Sequence, residues 1–573
     1  MGAQLKVSQT VLISGVTLLV AHPAWAQQAV TPPADTTAPT IDKVLLPQMP
    51  VNGGVGGYGA APLFSPFPRD GAVQPLSFQV PGLKPADEAP RAFSVKVGVD
   101  GEEKMSDNVY LTTKPAKSDF ITSAGGSLGA DVDTRRVKGG IKYDLAYDKY
   151  ARYSDLDGFR QDGIGLFDAE LLEQRLFIAG RASVSEQSIS PAGPSGATGA
   201  GPRTSASNSV RVYSGSIAPR LQQRFGEWAL AQVSYHHDEI RFENASQVTT
   251  PTTSSTLTAA NLNDSKTDGG RLEMRGGEAF SRLLWDYTGD VDHDVSSART
   301  YDQVSHTLGT EYRLSADFGL LATLGHDYLH SDSVDLNKYG GAFYNSGVHW
   351  TPSPATDVRV GIGRRYDKAD WIALITYWLG SSTVVRLSEH AGVTTDSLAT
   401  EQALNAIQRD SSGGFIDPFS GLVANPSSSL FARTNAIFYQ RNTDAVIRHD
   451  ETRDSFALTA RIAEQQLLGG STTLNSPAIA GAANSTSTTV MGAFFSWGHH
   501  LTPVLTSMAT VSQFDTLAST VGRTVQRKGS LALNYDMNPT LLGTLGYSTA
   551  ATFPATTGSI RENIIAAGLH KTF

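Results

Sequence analysis

The sequence predicts an all-β fold, a transmembrane, antiparallel, up-and-down β-barrel of about 22 strands (range ~18–22), preceded by a signal peptide and a flexible N-terminal segment. Three observations lead there. Short segments alternate apolar and polar residues over roughly the 10 residues that a tilted spanning strand needs. Aromatic residues recur near the ends of the apolar stripes. Short turns alternate with long polar loops, the outer-membrane pattern.

The elements follow in chain order. Residues 1–26 read as a signal peptide. Lys6 supplies the positive start, Val11–Ala21 the apolar run, and Ala24-Trp25-Ala26 a small-x-small cleavage site before Gln27. Pro23 and the Pro-rich stretch beyond it would end any helix there. Residues 27–90 are rich in Pro, Gly, Ala and Thr without a sustained period, and are expected to be a flexible periplasmic segment. Residues 91–573 carry the barrel pattern. In Val137–Tyr147, the residues Val137, Ile141, Tyr143, Leu145 and Tyr147 share one face, and Lys138, Lys142 and Asp144 the other. In Val358–Tyr366, Val358, Val360 and Ile362 oppose Arg359, Gly361, Gly363 and Arg365. Phe318, Leu320, Ala322 and Leu324 oppose Gly319, Thr323, Gly325 and Asp327, and Phe456, Leu458, Ala460 and Ile462 oppose Ser455, Thr459 and Arg461. Successive strand side chains point to opposite faces, so each segment has one oily and one wet side.

Trp285, Tyr287, Tyr312, Tyr328, Trp350, Tyr366, Trp371, Trp497, Tyr535 and Tyr547 suit interfacial girdles. Ser315-Ala316-Asp317, Thr351–Pro354, Leu501-Thr502-Pro503 and Met537-Asn538-Pro539 read as short periplasmic turns. Gln187–Asn208, Asn244–Thr267, Gly392–Ser429 and Gly469–Thr488 read as long external loops. The last segment places Ile565, Ala567, Leu569 and Phe573 on one face; Lys571 departs from the apolar pattern there. Lipid offers no hydrogen-bond partners, so these strands must close into a ring. An even strand number places both ends of the barrel in the periplasm of a Gram-negative cell, with the signal peptide setting that side.

Composition narrows the function. The chain has 573 residues, 40% of them hydrophobic, no cysteine, and a net charge of −9. Its mean hydropathy is −0.19. Beyond the N-terminal run, no apolar stretch approaches the roughly 18 residues of a spanning helix; Trp371–Gly380 is too short. The missing cysteines exclude thiolate zinc sites, iron–sulfur clusters and cysteine nucleophiles. The acidic balance gives no support to nucleic-acid binding.

Several stretches resemble an outer-membrane β-barrel family, the β-barrel porin 2 type, and within it the branch associated with exosortase/PEP-CTERM and exopolysaccharide gene clusters. The resemblance runs through Ser106–Leu111, Ser118–Ile121, Phe280–Trp285, Gly347–Pro354 into Gly361–Tyr366, and Phe495–Pro503. It implies a barrel that works beside polysaccharide synthesis and export machinery, and it supplies no catalytic residue.

Chemical motifs are sparse. Gly54-x-Gly56-x-x-Gly59 matches a dinucleotide fingerprint by letters, but no strand precedes it and no helix follows, so it reads as linker. Asp290-x-Asp292-x-Asp294 resembles the opening of a calcium loop. Val295 and Tyr301 occupy the positions that need Gly and Glu, so a solvated acidic external loop is the expectation. His236-His237 and His499-His500 cannot chelate as adjacent pairs, because neighbouring strand residues face opposite ways. No His-Glu-x-x-His or Gly-x-Ser-x-Gly occurs, and Ser548 reads as a luminal strand serine. No enzyme activity, cofactor or metal is expected. The inward-facing candidates are Lys138, Lys142, Asp144, Asp286, Glu311, Arg313, Asp327, Arg359, Arg365 and Arg461. Both signs are present. They fit first salt bridges that stiffen the wall, and are compatible with a hydrated lumen that passes a neutral or mildly acidic polymer. A pore or accessory channel in exopolysaccharide export is therefore the first expectation. A general diffusion porin is the second, and an outer-membrane enzyme acting on glycan or lipid the third; a plugged importer is disfavoured. The expected partners are outer-membrane lipid and lipopolysaccharide, the barrel-assembly machinery, and polysaccharide synthesis or export proteins.

Overall fold

Two-sided segments become strands because one face meets hydrocarbon and the other water. The computed structural model describes residues 92–573 apart from 114, 190–192, 194, 198–207, 244–261, 410–413, 422–430, 432, 470–486, 519–521 and 555–557. The expectations for residues 1–26 and 27–90, including the Gly54 motif, lie outside the described residues. The first strands are β1 (Phe93–Ser106), β2 (Asp119–Asp133), β3 (Val137–Tyr150), β4 (Gly158–Leu172), β5 (Leu176–Ser188), β6 (Ser209–Phe225), β7 (Ala229–Glu243) and β8 (Ser265–Gly276). Then come β9 (Leu283–Ser296), β10 (Thr300–Arg313), β11 (Phe318–Ser331), β12 (Gly341–Ser353), β13 (Thr356–Arg365), β14 (Lys368–Leu379) and β15 (Thr383–Thr395). A helix, α1 (Asp396–Ala406), and a two-residue hairpin, β16 (Gln408–Arg409) with β17 (Phe415–Ile416), interrupt the series. It resumes with β18 (Ile437–Asp450), β19 (Asp454–Gly469), β20 (Ser487–Thr502), β21 (Leu505–Ala518), β22 (Gly522–Asn538), β23 (Leu541–Phe553) and β24 (Ile560–Thr572).

All but β16 and β17 join one 22-stranded sheet in which every pairing is antiparallel, and β1 pairs with β24 to close it. The closing seam runs from Gly98 opposite Thr572 to Ser106 opposite Ile564. Beyond it the Phe573 amide donates to the Val97 carbonyl. The chain is thus a closed outer-membrane-type β-barrel with the expected strand number. Gly276 closes β8 before the turn into β9, and Thr452-Arg453 turns β18 into β19.

The outward faces are apolar and exposed, as a lipid-facing surface must be. Val95, Val97 and Val99 on β1, Leu320 and Leu324 on β11, and Val511 on β21 all project outward. Two aromatic belts flank them. Phe93, Phe225, Trp228, Tyr312, Trp350, Tyr377 and Tyr535 lie near the short turns, and Phe120, Tyr147, Phe159, Tyr235, Tyr328, Tyr344 and Trp371 lie toward the long loops. Lys571 sits in the short-turn belt with its ammonium 5.9 Å from the Phe573 ring, and it also bonds Thr540. A long stem lets that charge reach the polar boundary.

Val511 is 59% exposed at the middle of β21, and Ser512 beside it faces the interior. Val511→Arg is expected to destabilise the barrel by about 2–4 kcal/mol, the cost of a guanidinium at the bilayer midplane. Ser512→Arg, on the wet face, should cost far less. Unfolding by urea in lipid vesicles, followed by gel mobility, measures both.

Candidate functional site: the lumen and its inserted loop

A sheet of this size leaves a wide bore. With strands ~4.8 Å apart and tilted ~40°, opposite backbones stand about 44 Å apart. Such a lumen needs filling or stays a broad channel.

Of Gly392–Ser429, read from the sequence as an external loop, Gly392–Thr395 belong to β15, and the described residues from Asp396 to Ala436 fold into the bore instead. The descent begins at α1. Thr395 caps the helix, its Oγ1 accepting from the Leu398 amide at 3.2 Å. The Thr395 and Ser397 hydroxyls donate to Asp294 Oδ2 at 2.8 and 3.0 Å. Arg299 reaches the same carboxylate at 2.7 Å. Arg433, on the returning limb, pairs with Asp396 at 2.9 Å and donates to the Thr400 hydroxyl at 2.9 Å. Asp396 also sits in the first turn, where the helix dipole favours a negative charge.

Below the helix, Leu404, Ile407 and Phe415 pack on Ile164 and Leu166 of β4. Arg409 then donates to the Gly139 carbonyl at 2.7 Å and pairs with Asp131. Asp131 lies beside the short turn between β2 and β3, almost opposite the strands that carry the loop. Gly140 makes this approach feasible, since a Cβ there would stand 3.2 Å from Arg409 Nε and 2.8 Å from Asp131 Oδ1. The segment after β17 turns back to the β15–β18 wall. Arg386 donates to the Pro418 and Phe419 carbonyls at 2.6 and 2.8 Å, and Arg448 to the Gly421 carbonyl at 3.0 Å. Burial pushes the Asp417 carboxyl above its ordinary range, although the Ser420 hydroxyl and the Phe419 and Ser420 amides oppose the shift. Phe431 finally packs with Ala463 on β19 and Val490 on β20. The loop therefore crosses the lumen and runs most of its depth.

A second loop leans over the long-loop mouth. Between β5 and β6, the Ala197 amide donates to Glu562 on β24 at 2.7 Å, and Gln526 on β22 donates to the Gly193 carbonyl at 3.0 Å. The Arg433 amide donates to the Ile189 carbonyl at 2.7 Å, so the two loops touch.

The ten inward-facing candidates lie on the strand faces opposite the lipid-facing residues, and most sit in ion pairs. Asp327 and Arg365 pair at 2.7 Å, both 1% exposed, with the Ser305 hydroxyl donating to Asp327 at 2.8 Å. The Arg365 guanidinium also stacks 4.1 Å from the Phe343 ring. Arg365 enters from a two-residue turn in which Tyr366 and Asp367 both adopt a φ of 56°, and Tyr366, read from the sequence as a girdle aromatic, is instead buried inside among Tyr301, Val393 and Tyr439. Glu311 takes His349 at 3.0 Å and Arg313 at 3.5 Å, and Arg359 meets Asp357 at 3.3 Å. Arg461 pairs with Asp444, Lys142 with Asp144 at 3.7 Å, and Lys138 with Asp133 at 3.9 Å. Asp286 stands opposite Arg275, with a buried Oδ2 that has no hydrogen-bond partner among the described residues.

Asp290, Asp292 and Asp294 are not in an external loop. They occupy β9, and the strand period turns all three inward, where Arg271, His236 and Arg299 meet them. The histidine pairs split as expected of strand neighbours. His236 turns inward to Asp292 at 3.1 Å and His237 outward to Asp268 at 2.9 Å.

The charges are unevenly spread around the bore. The inward faces of β8, β9 and β10 carry Arg271, Glu273, Arg275, Asp286, Asp290, Asp292, Asp294, Glu311 and Arg313. Those of β20–β23 carry mainly hydroxyls and small residues, among them Ser496, Thr510, Ser512, Ser530, Thr544 and Ser548. On these four strands only His500, Lys528 and Asp536 titrate among the described inward-facing residues. Thr510 and Ser530 bond one another at 2.6 Å.

No protein-family model and no curated protein matches the sequence. Solved outer-membrane proteins are similar in shape. A ferric enterobactin receptor variant from Pseudomonas aeruginosa, in complex with enterobactin, is 11% identical with a TM-score of 0.43, covering 84% of this chain and 81% of that one. The siderophore receptor PirA from Acinetobacter baumannii is 8% identical with a TM-score of 0.42, covering 83% and 80%. OccK1 (OpdK) from Pseudomonas aeruginosa is 8% identical with a TM-score of 0.30, covering 84% and 99%. Nothing about cargo passes from these proteins to this chain.

Proposed function

We propose that this protein is an outer-membrane channel for a hydrophilic, weakly charged glycan, acting in exopolysaccharide export. The observation that carries the reading is the set of partly exposed hydroxyls on β21–β23, Thr510, Ser512, Ser530 and Thr544, facing a lumen that the inserted loop narrows. Hydroxyls exchange hydrogen bonds with sugar hydroxyls and with water at little net cost, so a neutral chain can slide without being held. Charged side chains on the opposite wall hydrate the bore, and because acids outnumber arginines there, that wall repels rather than traps a mildly acidic polymer. The sequence stretches that resemble barrels of exopolysaccharide clusters point the same way. In this reading the energy for movement comes from synthesis upstream. Lipopolysaccharide surrounds the apolar band, the barrel-assembly machinery inserts it, and synthesis or export proteins meet the short-turn mouth on the periplasmic side.

A deletion strain tests the reading. Loss of surface polymer, with polymer retained in the periplasm and restored by the intact gene, is the expected result. A second reading, a general diffusion porin, draws on the presence of both charge signs in the lumen. It predicts unchanged polymer export in the deletion strain and slower uptake of small solutes instead. Swelling of vesicles carrying the purified barrel, in small sugars and in amino acids, separates the two.

A further inference from the structure

We propose that the luminal helix α1 is a proton-operated latch, docked against β5–β7 and β15 and bonded to β8 and β9 while the Glu401 carboxyl holds its proton, and released when that proton is lost.

Glu401 is 2% exposed. Its Oε1 accepts from the Thr267 hydroxyl at 3.2 Å, and its Oε2, also buried, has no hydrogen-bond partner among the described residues. The charged side chains that act on it are acidic: Asp238 on β7, and Asp294 and Asp292 on β9. The cations around the helix are engaged elsewhere. Arg299 holds Asp294 and Arg433 holds Asp396. His236 lies 3.1 Å from Asp292 and 3.6 Å from Asp238, and Arg271 takes Glu273 and Asp290. Of the other elements packed on α1, β6 contributes Arg211, bound at 2.8 Å to Glu186 of β5 and at 2.9 Å to Glu243. From β15 comes His390, bonded to Asn442 at 3.0 Å. A carboxylate in this position would be buried without a counter-ion and among like charges, the costliest arrangement for an ionised group. Neutral Glu401 fits; ionised Glu401 does not.

Burial first, and Asp238 and Asp294 after it, hold the Glu401 carboxyl well above the ordinary carboxylate range in the docked helix. Once released into the aqueous lumen it returns to that range. The docked state thus binds the proton more tightly. Docking is strongest below the ordinary carboxylate pKa and weakens by up to about tenfold per pH unit above it, until the raised value is reached. Acid closes the latch and alkali opens it.

The absence of cysteine makes the test clean. Ala403 lies on α1 at 0% exposure, so Ala403→Cys places a thiol that an aqueous reagent reaches only when the helix leaves. Its labelling rate is measured from about pH 5 to about pH 8 in two backgrounds, native and Glu401→Gln; their ratio cancels the ionisation of the thiol. The expected ratio rises by up to about tenfold per pH unit within the window. A flat ratio overturns the latch. Should Glu401→Gln fail to fold, Asp238→Asn serves in its place. Removing that neighbouring charge lowers the docked carboxyl's pKa, so the response must end at lower pH, and an unshifted response overturns the proposal. The latch deepens the channel reading, but labelling needs no conduction. A pH-responsive helix in a barrel that passes no solute would sink the channel and leave the latch standing. A flat ratio in a conducting barrel would do the reverse.

Discussion

Excising residues 396–436 and joining Thr395 to Ile437 through a short Gly-Ser turn should raise the barrel's single-channel conductance severalfold. The design follows from the sheet. Thr395 and Ile437 are directly paired, as are the residues below them down to Thr383 and His449, so the wall beneath the loop stays closed. What is lost is the crossing: Arg409 against Gly139 and Asp131, Phe415 against Ile164 and Leu166, and the Arg386 and Arg448 bonds to residues 418–421. Barrels of 16–18 strands already leave aqueous channels, so a 22-stranded bore without its loop should conduct freely. Planar-bilayer recording of intact and excised protein measures the effect. Equal conductance would mean that the loop does not narrow the path.

The second large effect is on stability. Asp327→Ala should lower the unfolding free energy by about 3–5 kcal/mol, the usual cost of stranding one member of a buried ion pair. The remaining Arg365 cannot escape to water. It is 1% exposed, stacked on Phe343, and fixed at its root by the Tyr366-Asp367 turn. The Ser305 hydroxyl, 3.2 Å from Arg365, is no replacement for a carboxylate. Asp327→Leu combined with Arg365→Met should recover most of the loss, because no unpaired charge then remains. Urea unfolding of the three proteins in vesicles checks this. A loss under about 1 kcal/mol for the single variant would show that water reaches the guanidinium after all.

Strand positions were legible because lipid and water act on each segment locally. Val358, Val360 and Ile362 against Arg359 and Arg365 need no knowledge of the rest of the chain, and twenty-odd such segments imply the ring. What an inserted loop touches is not local. Arg409 meets Asp131 from 278 residues away, and nothing in the spacing of either announces it. The Asp290–Asp294 triplet was misplaced for a related reason. Three acids at alternate positions look like a solvated loop until their partners on β7, β8 and the β9–β10 turn are known. One signal was present. Thr395, Leu398, Ala399, Glu401, Ala403 and Leu404 make a capped, helix-forming run inside a stretch assigned to loop. Reading it would have found α1, though not that it hangs inside the barrel.

The seam between β1 and β24 sets the order in which this molecule can be made. Ser106 and Ile564 are neighbours there, although 456 residues separate Ser106 from the Glu562 that accepts its hydroxyl. Until that last hairpin arrives, the growing wall has two raw margins that hydrocarbon cannot satisfy. Insertion and zipping shut must therefore coincide, and a chain cut before Ile560 should clump rather than reside in a membrane as a shorter cylinder.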